Sequence, residues 1–224
     1  GTPTGGPLGA FVDGQSYSVL AKVTDAAGNS ASDTTNNELV IDTTAPVAPA
    51  VIGQTTNDTT PVISGTALVA PGETLTVTVN GATYTVTPDS NGNWSIDTGT
   101  ATPTSGTLGT FVNGTSYPVT ATVTDAAGNS ATDTTTNELK IDTTPPATPT
   151  VISQVTNDTT PTVKGTVNLA AGDTLAVTIN GVTYTTSSGL TITGNNWEVT
   201  LPTTADGTYA VTATVTDSAG NTAN

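Results

Sequence analysis

Val119-Thr120-Ala121-Thr122-Val123-Thr124, followed by Asp125-Ala126-Ala127-Gly128-Asn129, is the stretch on which the fold turns. Apolar and Thr side chains alternate through its first six residues, the period of a strand with one face buried and one face wet. The next five read as a tight turn. Asp bonds its own backbone two residues on, and Gly128 and Asn129 tolerate left-handed backbone. The turn also stands at Asp25-Ala26-Ala27-Gly28-Asn29 and, with Ser218, at Asp217-Ser218-Ala219-Gly220-Asn221.

Around this stretch the chain repeats itself. At an offset of 100 residues, 29 of the positions in 1–41 recur unchanged in 101–141. Asp42-Thr43-Thr44-Ala45-Pro46 returns as Asp142-Thr143-Thr144-Pro145-Pro146, and Asn57-Asp58-Thr59-Thr60-Pro61 as Asn157-Asp158-Thr159-Thr160-Pro161. The register then slips, since Trp94 corresponds to Trp197. So long a period exceeds that of a solenoid and suits a small domain with its own core. With Asp-Thr-Thr-Xaa-Pro opening each unit, 1–41 is the tail of one domain, 42–141 a whole domain, and 142–224 a third. The third lacks a last strand equivalent to Asn137-Glu138-Leu139-Lys140-Ile141. An open sheet edge invites pairing, so a strand resembling 36–41, from downstream chain or a neighbouring molecule, is expected to complete it.

Further strands are expected near 48–52, 61–66, 74–79, 82–87, 116–124, 137–141, 175–179 and 209–215, with turn signals at the spacing of a sandwich. Asn80-Gly81 and Asn180-Gly181 each join two such runs as tight hairpins, because both residues accept positive φ. No segment carries a helical apolar stripe. Trp94 and Trp197 are expected in the core rather than as sugar-stacking platforms, and Tyr84, Tyr117, Tyr184 and Phe111 read the same way. Thr is a good strand residue for a solvated face, and no long flat ladder of identical spacing argues for an ice-binding array.

Composition narrows the function. Three Lys, no Arg and 18 carboxylates give a net charge of −15, which argues against nucleic acid and against an anionic membrane surface. No run of 18 apolar residues could span a bilayer. With no Cys, His or Met, disulfides, thiolate zinc sites, imidazole and thioether ligands are excluded, leaving oxygen donors. Catalysis would need Ser with Lys or paired carboxylates. Lys22, Lys140 and Lys164 stand at unrelated repeat positions, so no enzyme is expected.

Asp-Thr-Thr-Xaa-Pro-Xaa-Xaa-Pro, then Asn-Asp-Thr-Thr-Pro, a Gly-Xaa-Xaa-Leu-Xaa-Val-Xaa-(Val/Ile)-Asn-Gly strand and turn, a Trp strand and Val-Thr-Asp-(Ala/Ser)-Ala-Gly-Asn together resemble the bacterial immunoglobulin-like tandem repeats of giant secreted RTX adhesins. The resemblance covers essentially the whole chain. It implies an all-β rod of seven-stranded sandwiches, type I export to the bacterial cell surface, and stalks stiffened by calcium. The Pro, Gly and Thr insert at 98–110 departs from the pattern and leaves that connection open.

Alternating strand directions place the acids. Asp42 in the linker, Glu73 after the second strand, Asp125 with Asn129 in the last hairpin, and Asp133 are expected at the upstream pole of 42–141, faced by Asp13. Asp142, Asp173, Asp217 and Asn221 gather likewise at the next junction, faced by Asn113 and the loop with Asp58. Asp25 corresponds to Asp125. Asp89 and Asp97 are placed elsewhere, as a turn acid and a solvated charge. Several carboxylates together repel by roughly 1–4 kcal/mol per pair, and calcium, which accepts six to eight oxygens in loose geometry, would relieve them better than magnesium. Each Asp can equally be a plain turn residue. The function expected is a stalk module of a cell-surface adhesin, active in cell adhesion and biofilm formation, whose partners are neighbouring repeats and Ca2+. A carbohydrate-binding module is the alternative.

Overall fold

The computed structural model describes residues 5, 6 and 8–224, and every regular element in them is a strand. The upstream segment holds β1 (Ser16–Tyr17), β2 (Lys22–Thr24), β3 (Ser30–Ser32) and β4 (Leu39–Val40). The middle segment holds β5 (Ala50–Val51), β6 (Gln54–Thr56), β7 (Val62–Thr66), β8 (Thr74–Val79), β9 (Ala82–Val86), β10 (Asn93–Asp97), β11 (Ser105–Gly106), β12 (Ser116–Tyr117), β13 (Val119–Thr124), β14 (Ser130–Thr132) and β15 (Leu139–Ile141). The last segment holds β16 (Thr150–Val151), β17 (Thr162–Thr166), β18 (Thr174–Ile179), β19 (Val182–Tyr184), β20 (Leu190–Thr193), β21 (Asn196–Thr200), β22 (Val211–Thr216) and β23 (Thr222–Ala223).

Two sheets face each other in the middle segment, one ordered β10-β7-β5 and the other β11-β9-β8-β13-β14. Between them lies one core, with Ile63, Leu75, Val77, Val119, Val123, Leu139 and Ile141 almost wholly buried. The alternation in 119–124 emerges as expected: Val119, Ala121 and Val123 point inward and Thr120 outward. On the wet faces, Thr hydroxyls pair across strands, Thr78 with Thr83 at 2.9 Å and Thr122 with Thr132 at 3.0 Å, cross-strand contacts of the kind that add small increments of sheet stability. Both Asn-Gly turns have positive φ at each residue, 44° and 88° at Asn80-Gly81 and 47° and 85° at Asn180-Gly181.

Trp94 and Trp197 are core residues, 3% and 1% exposed. Each lies opposite a glycine in register, Trp94 across from Gly65 and Trp197 across from Gly165. A Cβ at either glycine would run into the indole and into the carbonyl of Ala50 or Thr150, so the missing side chain makes room for the aromatic one.

The last strand of the middle segment is split. Between β14 and β15 the chain detours through 133–138, with Asn137 in left-handed backbone at φ 60°. Two carboxylates stand in for the ladder acceptors lost there: the amide of Ala121 donates to Asp133 at 2.7 Å and that of Val119 to Glu138 at 2.9 Å. Beyond the detour β15 pairs antiparallel with β12 and parallel with β6. The 98–110 insert also has a definite place. It lays β11 along the edge of β9, and the Asn80 side chain donates to the Gly109 carbonyl at 2.8 Å.

The last segment repeats the plan, with sheets β16-β17-β21-β20 and β19-β18-β22-β23 around a second core that includes Val177, Trp197, Val199 and Val215. The upstream segment keeps the β1-β4 and β2-β3 pairings alone among the described residues. Val23, whose counterpart Val123 is fully buried, is 76% exposed there.

Candidate functional site

Strand direction sends the loops 67–73, 87–92 and 125–129 to the upstream pole of the middle segment, beside the linker that begins at Asp42, and the loops 57–61 and 98–115 to the downstream pole. At each pole the linker is gripped from both sides.

The downstream grip is an Asp-Asn hook. In 125–129, the Asp125 carboxylate accepts the amides of Ala127 and Asn129 at 2.9 and 2.8 Å and the Asn129 side-chain amide at 2.9 Å. Thus oriented, Asn129 also donates to the Asp42 carbonyl at 3.0 Å. The next junction repeats this: Asn221 donates to Asp217 at 2.8 Å and to the Asp142 carbonyl at 2.7 Å. Gly128, at φ 96°, supplies the left-handed residue of the turn, whereas Asn129 does not adopt positive φ.

The upstream grip comes from the loop before β1 or β12. Asp13 accepts the Thr43 amide at 2.6 Å and the Thr44 hydroxyl at 2.7 Å. One repeat later, Asn113 stands in its place, accepting the Thr143 amide at 2.7 Å and donating to the Thr144 hydroxyl at 2.8 Å. The Thr hydroxyl reverses its role as acid becomes amide, so the site survives the exchange. The second junction gains a direct bond between segments, from the Asn57 amide to the Ala219 carbonyl at 3.1 Å.

These bonds set the acidities. The Thr44 hydroxyl and Thr43 amide hold the Asp13 carboxyl below the usual carboxylate range. The Asn129 side chain does so for Asp125. At Asp217 partial burial raises the pKa, but the donors from Asn221 prevail and the net shift is downward. Lys140 reaches Asp142 at 3.7 Å, where the first junction has Val40.

The remaining acids are engaged locally. Glu73 and Asp173 accept the amides of Ala70 and Ala170 within their own loops, both near 2.8–2.9 Å. Asp58 caps its turn through the Thr60 amide at 2.8 Å, and Asp25 repeats the Asp125 turn with Asn29. Asp133 serves the strand edge rather than the junction. Asp89 is a turn acid as expected, bonded by Asn91 and Asn93. Its loop nevertheless lies at the upstream pole, where Asp89 and Glu73 line one cleft of about 410 Å³ with Leu68. Among the described residues no three Asp, Glu, His or Cys side chains converge to hold a metal ion. At each junction one Asn side chain joins the linker to the loop acid, Asn129 between Asp42 and Asp125 and Asn221 between Asp142 and Asp217.

Two features went beyond the sequence reading. Asn129 and Asn221, expected at the junctions, hold the linker by donating to its carbonyls, a role that an Asn after Gly does not announce. Glu138, 6% exposed, is a buried carboxylate whose only sequence signal was its recurrence at Glu38.

Comparison with known proteins agrees with this architecture. No protein of curated function matches the chain. Among solved structures, one concerning host cell surface retention of a 1.5-MDa bacterial ice-binding adhesin is 26% identical, covering 91% of this chain and 69% of that chain, with TM-score 0.36. SGBP-B of the Bacteroides ovatus mixed-linkage glucan utilization locus, in complex with a mixed-linkage heptasaccharide, is 16% identical over 95% of this chain and 49% of that one, with TM-score 0.28. A three-domain titin segment is 12% identical over 79% and 60%, with TM-score 0.35. The family described as bacterial Ig-like domain matches residues 52–143 and again 150–224. The chain therefore belongs to the bacterial Ig-like domain family, as tandem all-β sandwiches.

Proposed function

We propose that the chain is a non-catalytic extension module of a bacterial cell-surface adhesin, working as part of a rod outside the cell after type I export. The observation that carries this reading is the repeated two-sided grip on the linkers. Asp13 and Asn113 hold Thr43-Thr44 and Thr143-Thr144 from upstream, while Asn129 and Asn221 hold the Asp42 and Asp142 carbonyls from downstream. Pro46 and Pro49, then Pro145, Pro146 and Pro149, fix φ along the same stretches. A binding module has no need to repeat its joints, whereas a spacer does.

Calcium is part of the proposal as a second brace at the same joints. Asp42 and Asp125 with Asn129, and Asp142 and Asp217 with Asn221, would supply carboxylate and amide oxygens, and a net charge of −15 favours a divalent cation. The ion would supply charge neutralisation and a rigid link across each seam.

The test is small-angle scattering and calorimetry with calcium or with chelator. Millimolar calcium is expected to raise the melting temperature and the maximum dimension, and chelator to reverse both. An extended particle indifferent to either would remove calcium and leave the hydrogen-bonded joints as the sole brace. A compact, jointed particle in all conditions would refute the rod.

A further inference from the structure

Asn-Gly occurs four times in the chain, at Asn80, Asn91, Asn113 and Asn180, and the fold treats the four differently. At such a pair a peptide most readily attacks its own side chain, because glycine places no Cβ beside the attacking amide nitrogen. The attack needs two liberties. The Asn side chain must be able to turn its carboxamide carbon toward the main chain, and the Gly N–H must be open to base.

Three of the four lack one or both. Asn80 donates to the carbonyls of Gly109 and Thr110 at 2.8 and 3.3 Å, and the Thr107 carbonyl crowds Gly81, 3.0 Å from where a Cβ would stand. Asn113 is held by Thr143 and Thr144, and the Gly114 amide donates to the Ile141 carbonyl at 2.8 Å. Beside Asn91, the Gly92 amide donates to the Asp89 carbonyl at 3.0 Å. At Asn180-Gly181 both residues are exposed, and neither the Asn180 side chain nor the Gly181 amide has a hydrogen-bond partner among the described residues. Nothing lies within 4 Å of the place a Gly181 Cβ would take. The difference comes from a connection inside each domain. Between β10 and β13, the 98–110 insert folds back over the Asn80 turn. The shorter connection between β21 and β22 follows the other sheet instead, the Leu201 and Thr204 amides donating to the Pro161 and Thr159 carbonyls at 2.9 and 2.7 Å, and leaves the β18–β19 turn bare.

We propose that Asn180 is a site of spontaneous modification, a one-way chemical mark that this repeat acquires and the preceding repeat resists at the same turn. The Gly181 amide loses its proton to hydroxide, and its nitrogen bonds to the Asn180 carboxamide carbon. The bond from that carbon to the side-chain nitrogen breaks, and ammonia leaves with a proton returned by water, giving a cyclic imide. Water then opens the imide at either carbonyl, to aspartate or to isoaspartate. Aspartate keeps the turn, since it too visits left-handed backbone. Isoaspartate lengthens the main chain and ends the register that sets Ile179 opposite Val182 and Thr178 opposite Thr183. The loss stays at the edge, because β19 pairs with β18 alone while β18 keeps its whole ladder with β22. The mark alters surface and charge and spares the core.

Peptide mapping by mass spectrometry of the folded 224-residue chain, aged in warm, mildly alkaline buffer, and of the same chain in urea, tests this. In the folded chain Asn180 is expected to convert about fivefold faster than Asn91, which has one hydrogen bond to break, and about thirtyfold faster than Asn80 and Asn113, which have two or more. In urea, where local sequence alone remains, the four rates should converge. Enzymatic methylation of isoaspartate should label position 180, and hydrogen exchange in the converted chain should rise in 182–184 but not in β22. Conversion of Asn180 no faster than that of Asn80 in the folded chain, or the same ranking in urea, would overturn the proposal, and unaltered exchange in the converted chain would overturn the loss of the hairpin.

Discussion

Replacing Asn221 by Ala isolates the downstream grip at the second junction. Its side chain makes two bonds, to the Asp142 carbonyl at 2.7 Å and to Asp217 at 2.8 Å. The second lies within the loop, where Asp217 keeps the amides of Ala219 and residue 221 as donors. What crosses the seam is the first bond, worth about 1 kcal/mol net, or roughly a fivefold change in a docked-to-undocked ratio. The Asn57 amide to Ala219 carbonyl bond remains, so the joint should loosen rather than fall open. The chain has no Cys, so spin labels at Ser95→Cys and Thr191→Cys, both exposed, report one distance across the junction. The variant is expected to broaden that distribution and raise its undocked fraction about fivefold, with the melting of the last segment lowered by less than about 2 kcal/mol. A distribution as narrow as the parent's would refute the hook. Unfolding of the last segment would show that Asn221 serves its own loop instead.

Asn113→Asp should leave the distance distribution across the second junction intact, because Asp13 already makes the equivalent bonds at the first, whereas Asn113→Ala should widen it. Gly165→Ala drives a methyl group into the Thr150 carbonyl and the Trp197 ring; a cost of about 2 kcal/mol should lower the calorimetric Tm of that core by roughly 10 °C, and an unchanged Tm would contradict the packing. Glu138→Ala strands the buried Val119 amide and should cost about 1–3 kcal/mol in denaturant titration, while Glu138→Gln, which keeps an acceptor, should cost distinctly less. Asp13, Asp125 and Asp217 have lowered pKa values, so each favours the folded joint when ionised. That contribution is whole at neutral pH and fades as pH falls below about 4 through the depressed folded values. Joint order that stays constant, or improves, from pH 5 to pH 2.5 would reverse this sign.

The signals that sequence carried well were local. Alternation in 119–124 and the two Asn-Gly turns depend on neighbours only, and all emerged where expected. Trp94 was legible as core, but the void at Gly65 that admits it was not, because it arises from register between strands almost thirty residues apart. The insert at 98–110 gave no hint that it would cover the edge of β9, since nothing in its Pro, Gly and Thr content names a partner. Strand direction placed Asp42 and Asp125 at one pole. It could not show that Asp125 would spend its oxygens on its own turn and act on the linker through Asn129, nor that Glu73 would be engaged by Ala70. Where an acid stands follows from topology; which donors reach it depends on side-chain geometry.

The parallel pairing of β6 with β15 gives the middle domain a mechanical character. Tension along the chain enters near Asp42 and leaves near Asp142, drawing β6 toward one end and β15 toward the other. Their rungs, including the Gln54 amide to Glu138 carbonyl bond at 2.6 Å and the Asp142 amide to Thr56 carbonyl bond at 2.9 Å, are loaded sideways and share the force rather than opening one by one. The middle domain, clamped in this way, would yield in one step under tension rather than by unzipping from one end.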